Sequence, residues 1–173
     1  MRWMWIDRIL EHVPGERMVA IKGVSLSEVH LYDHFPADEG EGGRDAEPVM
    51  PASLILEGCA QTAGLLSGHM RDFKEKVLLA KIAKARLERE AAPGQTLRYT
   101  ATLVRLDNAG ALTTIAIDLF PEPGAPAVPI GEAEIVFSHA DKNMSGIELP
   151  EENFVFGETF TTLLTSSGVT IPD

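Results

Sequence analysis

The chain has 173 residues, 45% of them apolar, and a formal charge of −11, which is the length of one domain with enough apolar material for a sizeable core. The charge is uneven: residues 37–47 hold five acids and one Arg, residues 140–173 hold six acids and one Lys, and the remainder is close to neutral. A nucleic-acid footprint needs a clustered basic face, and a lone cysteine, Cys59, excludes an intrachain disulfide.

A reducing, cytoplasmic setting is the expectation that follows. The opening MRWMWIDRIL is interrupted by Asp7 and Arg8 before any small-residue cleavage site, so it does not read as a signal peptide. Trp3 and Trp5 within it are expected to cover the end of a sheet or helix. PGE at 14–16 signals a turn, and residues 17–27 place Val19, Ile21, Val24 and Leu26 on a strand period.

Residues 52–70 are nearly all apolar but carry Glu57, Gln61 and His69, which favours a helix buried in protein over a membrane span. Short strands are expected at 77–82 and 84–88, with a turn at 92–95. A hairpin follows, 96–106 and 111–120 about the turn DNAG, rich in Thr and Ile. The Pro-rich segment 121–129 reads as a loop and 130–138 as a last strand. A domain over 1–139 with a 37–47 insertion, and an acidic extension over 140–173, is the expected organisation. An apolar helix must be covered on most sides, so the pattern predicts an α+β fold, a long central helix wrapped by a curved antiparallel sheet.

The chemistry concentrates around that helix. A buried carboxylate costs several kcal/mol unless partnered or neutralised, so Glu57 is either a group kept for proton transfer or one satisfied by Gln61 a turn later or by solvent at the helix edge. His34 is either a solvated loop histidine or the complementary base. It stands in His34-Phe-Pro, and Pro48-Val-Met-Pro51 precedes the helix, so two Pro-anchored pieces flank the acidic, Gly-rich 37–47 insertion. Cys59 reads as packing. His12, His30, His69 and His139 show no spacing that suggests a metal.

The set His34-Phe-Pro, Pro48-Val-Met-Pro51, Leu54-Ile-Leu-Glu57 and Ala60-Gln61 resembles the bacterial β-hydroxyacyl-[acyl carrier protein] dehydratases, hot-dog-fold enzymes of type II fatty acid synthesis. Ile6-Asp7-Arg8, Pro14-Gly15-Glu16-Arg17 and Ala20-Ile21-Lys22 resemble that family's opening. Ala85-Arg86-Leu87 and Pro93-Gly94-Gln95 resemble its later strand and turn, so the likeness runs over roughly residues 3 to 138.

The resemblance implies a cofactor-free hydro-lyase with no metal, converting a 3-hydroxyacyl thioester to the trans-2-enoyl thioester. By that likeness His34 would take the α-proton and Glu57, held protonated, would protonate the departing hydroxyl. The backbone N–H of Ala52 would face the thioester oxygen, and Gln61 would support Glu57 or the tunnel wall. The likeness further implies acyl carrier protein or coenzyme A thioesters as substrate carriers, and a homodimer with shared active sites, with a trimer of dimers as a larger assembly. Lys81, Lys84, Arg86 and Arg89 are candidates for meeting an acidic carrier.

Three departures from the family stand out: Asp33 before the histidine and Ala52 at the helix start, both where the family has Gly, and an insertion of eleven residues where the family has about two. Asp33 would favour the imidazolium form of His34. Alternative readings on the same fold are a thioesterase and an acyl-binding subunit with reduced catalysis.

Overall fold

The computed structural model describes residues 3–33, 37, 47–140, 143–144, 147–148 and 155–171. Its strands are β1 (Arg8–Val13), β2 (Arg17–Gly23), β3 (Lys76–Leu87), β4 (Thr96–Leu106), β5 (Gly110–Phe120) and β6 (Val128–Ala140), with a two-residue pair β7 (Asn143–Met144) and β8 (Ile147–Glu148). Its helices are α1 (Val29–Asp33), α2 (Ala52–His69) and α3 (Glu158–Ser166). The first six strands form one antiparallel sheet in the order β1-β2-β4-β5-β6-β3. Helix α2 packs against β2 through β6, which gives the α+β arrangement expected from the sequence.

The local causes are legible. On β5, Ala111, Thr113, Ile115, Ile117 and Leu119 are buried in strict alternation, and on β4 Leu97, Tyr99 and Ala101 match them; period two puts these onto the helix side of the sheet. The β4–β5 turn is closed by Asp107, whose Oδ1 accepts the N–H groups of Ala109 at 2.9 Å and Gly110 at 3.2 Å. Gly15 and Gly94 follow prolines at φ of 74° and 87°, the left-handed region where a side chain is disfavoured.

Several boundaries differ from expectation. The two short strands around 77–88 are one strand, β3, bent by register shifts between Leu79 and Lys81 and between Ile82 and Lys84. Such shifts break the alternation from which strands are read. The strand expected over 17–27 is β2 and ends at Gly23: Val24 still bonds the turn before β4, its N–H donating to Gln95 O at 2.9 Å, and the chain then turns, with Glu28 N–H donating to Ser25 O at 3.0 Å. β6 begins at Val128, inside the Pro-rich segment, because a proline is tolerated near a strand's start. β1 was not anticipated, and neither was α3.

Helix α2 ends at His69 with Met70 as its cap. Among the described residues no helix is long and apolar enough to cross a membrane. Helix α3 lies against β1, with Leu163 and Leu164 buried and the Ile9 N–H donating to Ser167 Oγ at 3.0 Å.

Candidate active site

Glu57 stands on the second turn of α2 and is half-buried. Its neighbours on the inner side, Ile55, Gly58 and Cys59, are buried, and Cys59 is packed so fully that burial pushes its thiol well above the ordinary range. Glu57 is not alone. Its Oε1 accepts two hydrogen bonds, from Trp3 Nε1 at 3.1 Å and from Gln61 Nε2 at 3.0 Å. The Gln61 amide is itself fixed: its Oε1 accepts the Trp5 N–H at 2.8 Å and its Nε2 also donates to Trp3 O at 3.2 Å. Because a backbone N–H needs an acceptor, the oxygen of Gln61 must face Trp5 and its NH2 must face Glu57.

Trp3 is the residue that sequence reasoning missed. It is 60% exposed and was expected only as a cover, yet its indole N–H is spent on Glu57. Fifty-four positions separate the two, so no local signal could have joined them.

Glu57 and Gln61 open onto a cavity of about 350 Å³ whose other walls include Gly64, Leu65, Val77 and Phe137. An apolar chamber with a few convergent polar groups at one end is the usual form of a small-molecule site. The tight packing beneath it depends on Gly58, where a Cβ would lie 2.5 Å from Cζ of the fully buried Tyr99.

At the helix start, Pro51 O accepts the N–H groups of Leu54 and Ile55 at 2.9 and 3.2 Å, and no side chain among the described residues caps the first turn. Ala52 is exposed there. The preceding segment is pinned by Met50, which is fully buried and donates its N–H to Ala91 O at 2.7 Å. His34 lies outside the described residues, as do Phe35, Pro36, the Asp33 side chain, and all of the 37–47 insertion except Ala37 and Glu47.

The four basic candidates are exposed. Lys81, Lys84 and Arg86 sit on β3 and Arg89 lies beyond it. Lys84 is paired with Glu132 at 2.7 Å and Arg86 with Glu88 at 2.8 Å, so part of their charge is met within the chain. The fold also creates a pair that spacing concealed, His12 and His69, with ring centroids 4.3 Å apart. Among the described residues no group of three or more metal-ligating side chains forms.

The sequence model of the FabA-like domain matches residues 2–120. The 3-hydroxyacyl-[acyl-carrier-protein] dehydratase FabZ of Solibacter usitatus is 35% identical over 152 residues, covering 86% of this chain and 83% of that protein. The enzyme of the same name from Shewanella woodyi is 38% identical over 106 residues, 60% of this chain and 64% of its own length. The chain spans less than two thirds of that relative and of those from Ralstonia nicotianae and Geobacter metallireducens, 58% and 60%.

Among solved structures, the dehydratase heterocomplex ApeI:P from Xenorhabdus doucetiae superposes with a TM-score of 0.57 at 16% identity, over 81% of this chain and 85% of that one. The smu.793 protein of Streptococcus mutans bound to acetyl CoA gives 0.56 at 10% identity, over 77% and 87%. These two likenesses concern the fold alone. With a helix laid on a six-stranded antiparallel sheet and a family match over most of its length, the chain belongs to the FabA-like family of hot-dog proteins, the family of the 3-hydroxyacyl-[acyl-carrier-protein] dehydratases.

Proposed function

We propose that the protein is a dehydratase that converts a 3-hydroxyacyl thioester, carried on acyl carrier protein, to the trans-2-enoyl thioester and water. The observation that carries this reading is the carboxyl group of Glu57, held by two donors at the polar end of an apolar chamber.

The reaction needs a base for the α-proton, an acid for the hydroxyl and a donor for the thioester oxygen as negative charge develops there. Among the described residues both donors on Glu57 converge on Oε1, and in this reading Oε2 is the oxygen that carries the proton and passes it to the departing hydroxyl. His34 takes the proton from C2, the electron pair forms the C2–C3 double bond, and the C3–O bond breaks to release water. The imidazolium and the carboxylate then exchange a proton, which restores both. The first N–H groups of α2 lack intrahelical partners and sit at the positive end of the helix dipole, which suits Ala52 N–H for the thioester oxygen.

A homodimer with shared sites accords with β3. It is an edge strand of the sheet, exposed over most of its length, with Leu79 and Ile82 at 47% and 41% exposure. Unpaired edges of this kind invite a second strand.

The test is turnover of crotonyl and 3-hydroxyacyl thioesters, on carrier protein and on coenzyme A, by the wild type, His34→Asn and Glu57→Gln. Each variant is expected to fold, to sediment as the wild-type dimer, and to lose roughly 10²–10⁴-fold in kcat. Unchanged turnover in both variants defeats the proposal. Release of free thiol would assign a thioesterase instead, and ligand binding without turnover would assign an acyl-binding subunit.

A further inference from the structure

The cavity below Glu57 is not closed by the matched part of the chain. Val155, Phe156 and Phe160 line it, and all three lie beyond residues 2–120. Glu57, Gln61, Gly64 and Gly68 recur at intervals of four, three and four, which puts them on one face of α2. The polar end of the chamber is at Glu57, and Gly64 lines it further along. At Gly68 the face is covered, because a Cβ there would stand 2.4 Å from Cζ of Phe156 and 2.8 Å from its Cε2. The Phe156 ring thus rests directly on the helix backbone.

That ring is held on two sides. Phe73 meets it edge-on with centroids 4.9 Å apart, and Phe160 meets it at 6.3 Å. Behind Phe160, α3 is anchored by buried Leu163 and Leu164 and by the Ser167 hydroxyl on the Ile9 N–H. A wall fixed in this way resists displacement by an entering chain.

We propose that Phe156 and Phe160 are a chain-length stop, by which the C-terminal segment closes the far end of the acyl channel that begins at Glu57. The inference rests on the reading of the site as one for acyl thioesters. Glu57 to Gly64 spans seven residues, about 10 Å along the helix axis. A saturated chain with bonds of about 1.5 Å advances roughly 1.3 Å per carbon. Those roughly 10 Å hold about eight carbons, and with the three at the reacting end the channel takes acyl groups of about eleven carbons before further methylenes meet the Phe156 ring. One methylene too many in an apolar pocket costs roughly 10–200-fold in kcat/KM.

The experiment uses the full chain and a panel of trans-2-enoyl thioesters on acyl carrier protein, from about four to sixteen carbons, with Phe156→Leu, Phe156→Trp and Phe160→Ala, each checked for wild-type thermal melting. The wild type is expected to lose at least about tenfold in kcat/KM per two carbons beyond the cut-off, within the range for one misfit methylene. Phe156→Leu and Phe160→Ala should move that cut-off to longer chains and Phe156→Trp to shorter ones, with turnover of the four-carbon substrate changed by less than about threefold. A cut-off that stays where the wild type has it in all folded variants overturns the stop.

A second readout separates this proposal from the one it rests on. Alkyl-pantetheine thioethers of the same lengths are titrated against the same proteins, and their Kd values need no turnover. If the wild type processes no thioester, the dehydratase reading fails. The stop then stands if the Kd cut-off moves with Phe156, and falls if it does not.

Discussion

Gln61 donates to Glu57 Oε1 at 3.0 Å while accepting the Trp5 N–H at 2.8 Å, so one amide ties the candidate acid to the chain's first described residues. Gln61→Met removes both bonds. Glu57 becomes a carboxylate as it gives up its proton, and a hydrogen bond to such a charged group is worth about 1.5–3 kcal/mol, so kcat is expected to fall by roughly 10–100-fold, with a further loss of about 1–3 kcal/mol in stability from the orphaned Trp5 N–H. Gln61→Glu keeps the acceptor for Trp5 and puts a second carboxyl against Glu57. Two such groups in contact hold a shared proton to higher pH, so the alkaline limb of the pH–rate profile should move up. A profile identical to wild type would break the link between the two residues.

Gly58 and Tyr99 make the second prediction. A Cβ at 58 meets the rigid, fully buried ring at 2.5 Å, so Gly58→Ala is expected to cost about 1–3 kcal/mol. At this chain length that lowers Tm by roughly 2–12 °C. Tyr99→Phe points the other way: the Tyr99 hydroxyl is buried without a hydrogen-bond partner among the described residues, and removing it should leave Tm unchanged or raise it. Differential scanning calorimetry of both variants checks the pair, and a large drop in Tyr99→Phe would reveal a partner for that hydroxyl.

Lys22 is buried, with its ammonium 3.3 Å from Asp7 Oδ1, bonded to Glu28 Oε1 at 2.5 Å and to Gly23 O at 2.9 Å. Lys22→Met leaves the two carboxylates facing each other. The expected cost is about 2 kcal/mol, below the roughly 3–5 kcal/mol of a fully enclosed pair because Asp7 is half-exposed. Adding Glu28→Gln to that variant should return part of the loss in urea melts, and strict additivity would count against the cluster.

Acid should weaken the fold through His12 and His139. Burial is the chief cause holding both below the ordinary imidazole value of 6.5, and for His12 the neighbouring His69 adds to it. The unfolded chain therefore binds more protons in the window below 6.5, so this contribution is full above that pH and is lost as pH falls through the folded values. Urea midpoints at pH of about 7.5 and 5.5 should differ less in His12→Gln and in His139→Gln than in wild type. Equal slopes in all three proteins would contradict it.

The elements legible in the amino-acid order are those whose side chains keep a regular period. β4, β5 and their Asp-Asn-Ala-Gly turn follow from alternation and turn chemistry, and α2 follows from an apolar run too long for a strand, because these signals come from residues a few positions apart. The likeness carried by Pro48-Val-Met-Pro51 and Glu57-to-Gln61 also lay open, since its pieces are short and ordered. Only the folded chain shows that Trp3 bonds Glu57, that His12 meets His69, that β3 is one bent strand, and that Phe156 sits on Gly68. Each of these joins segments far apart in the chain, or depends on bulges that erase the period, and neither leaves a local trace to read.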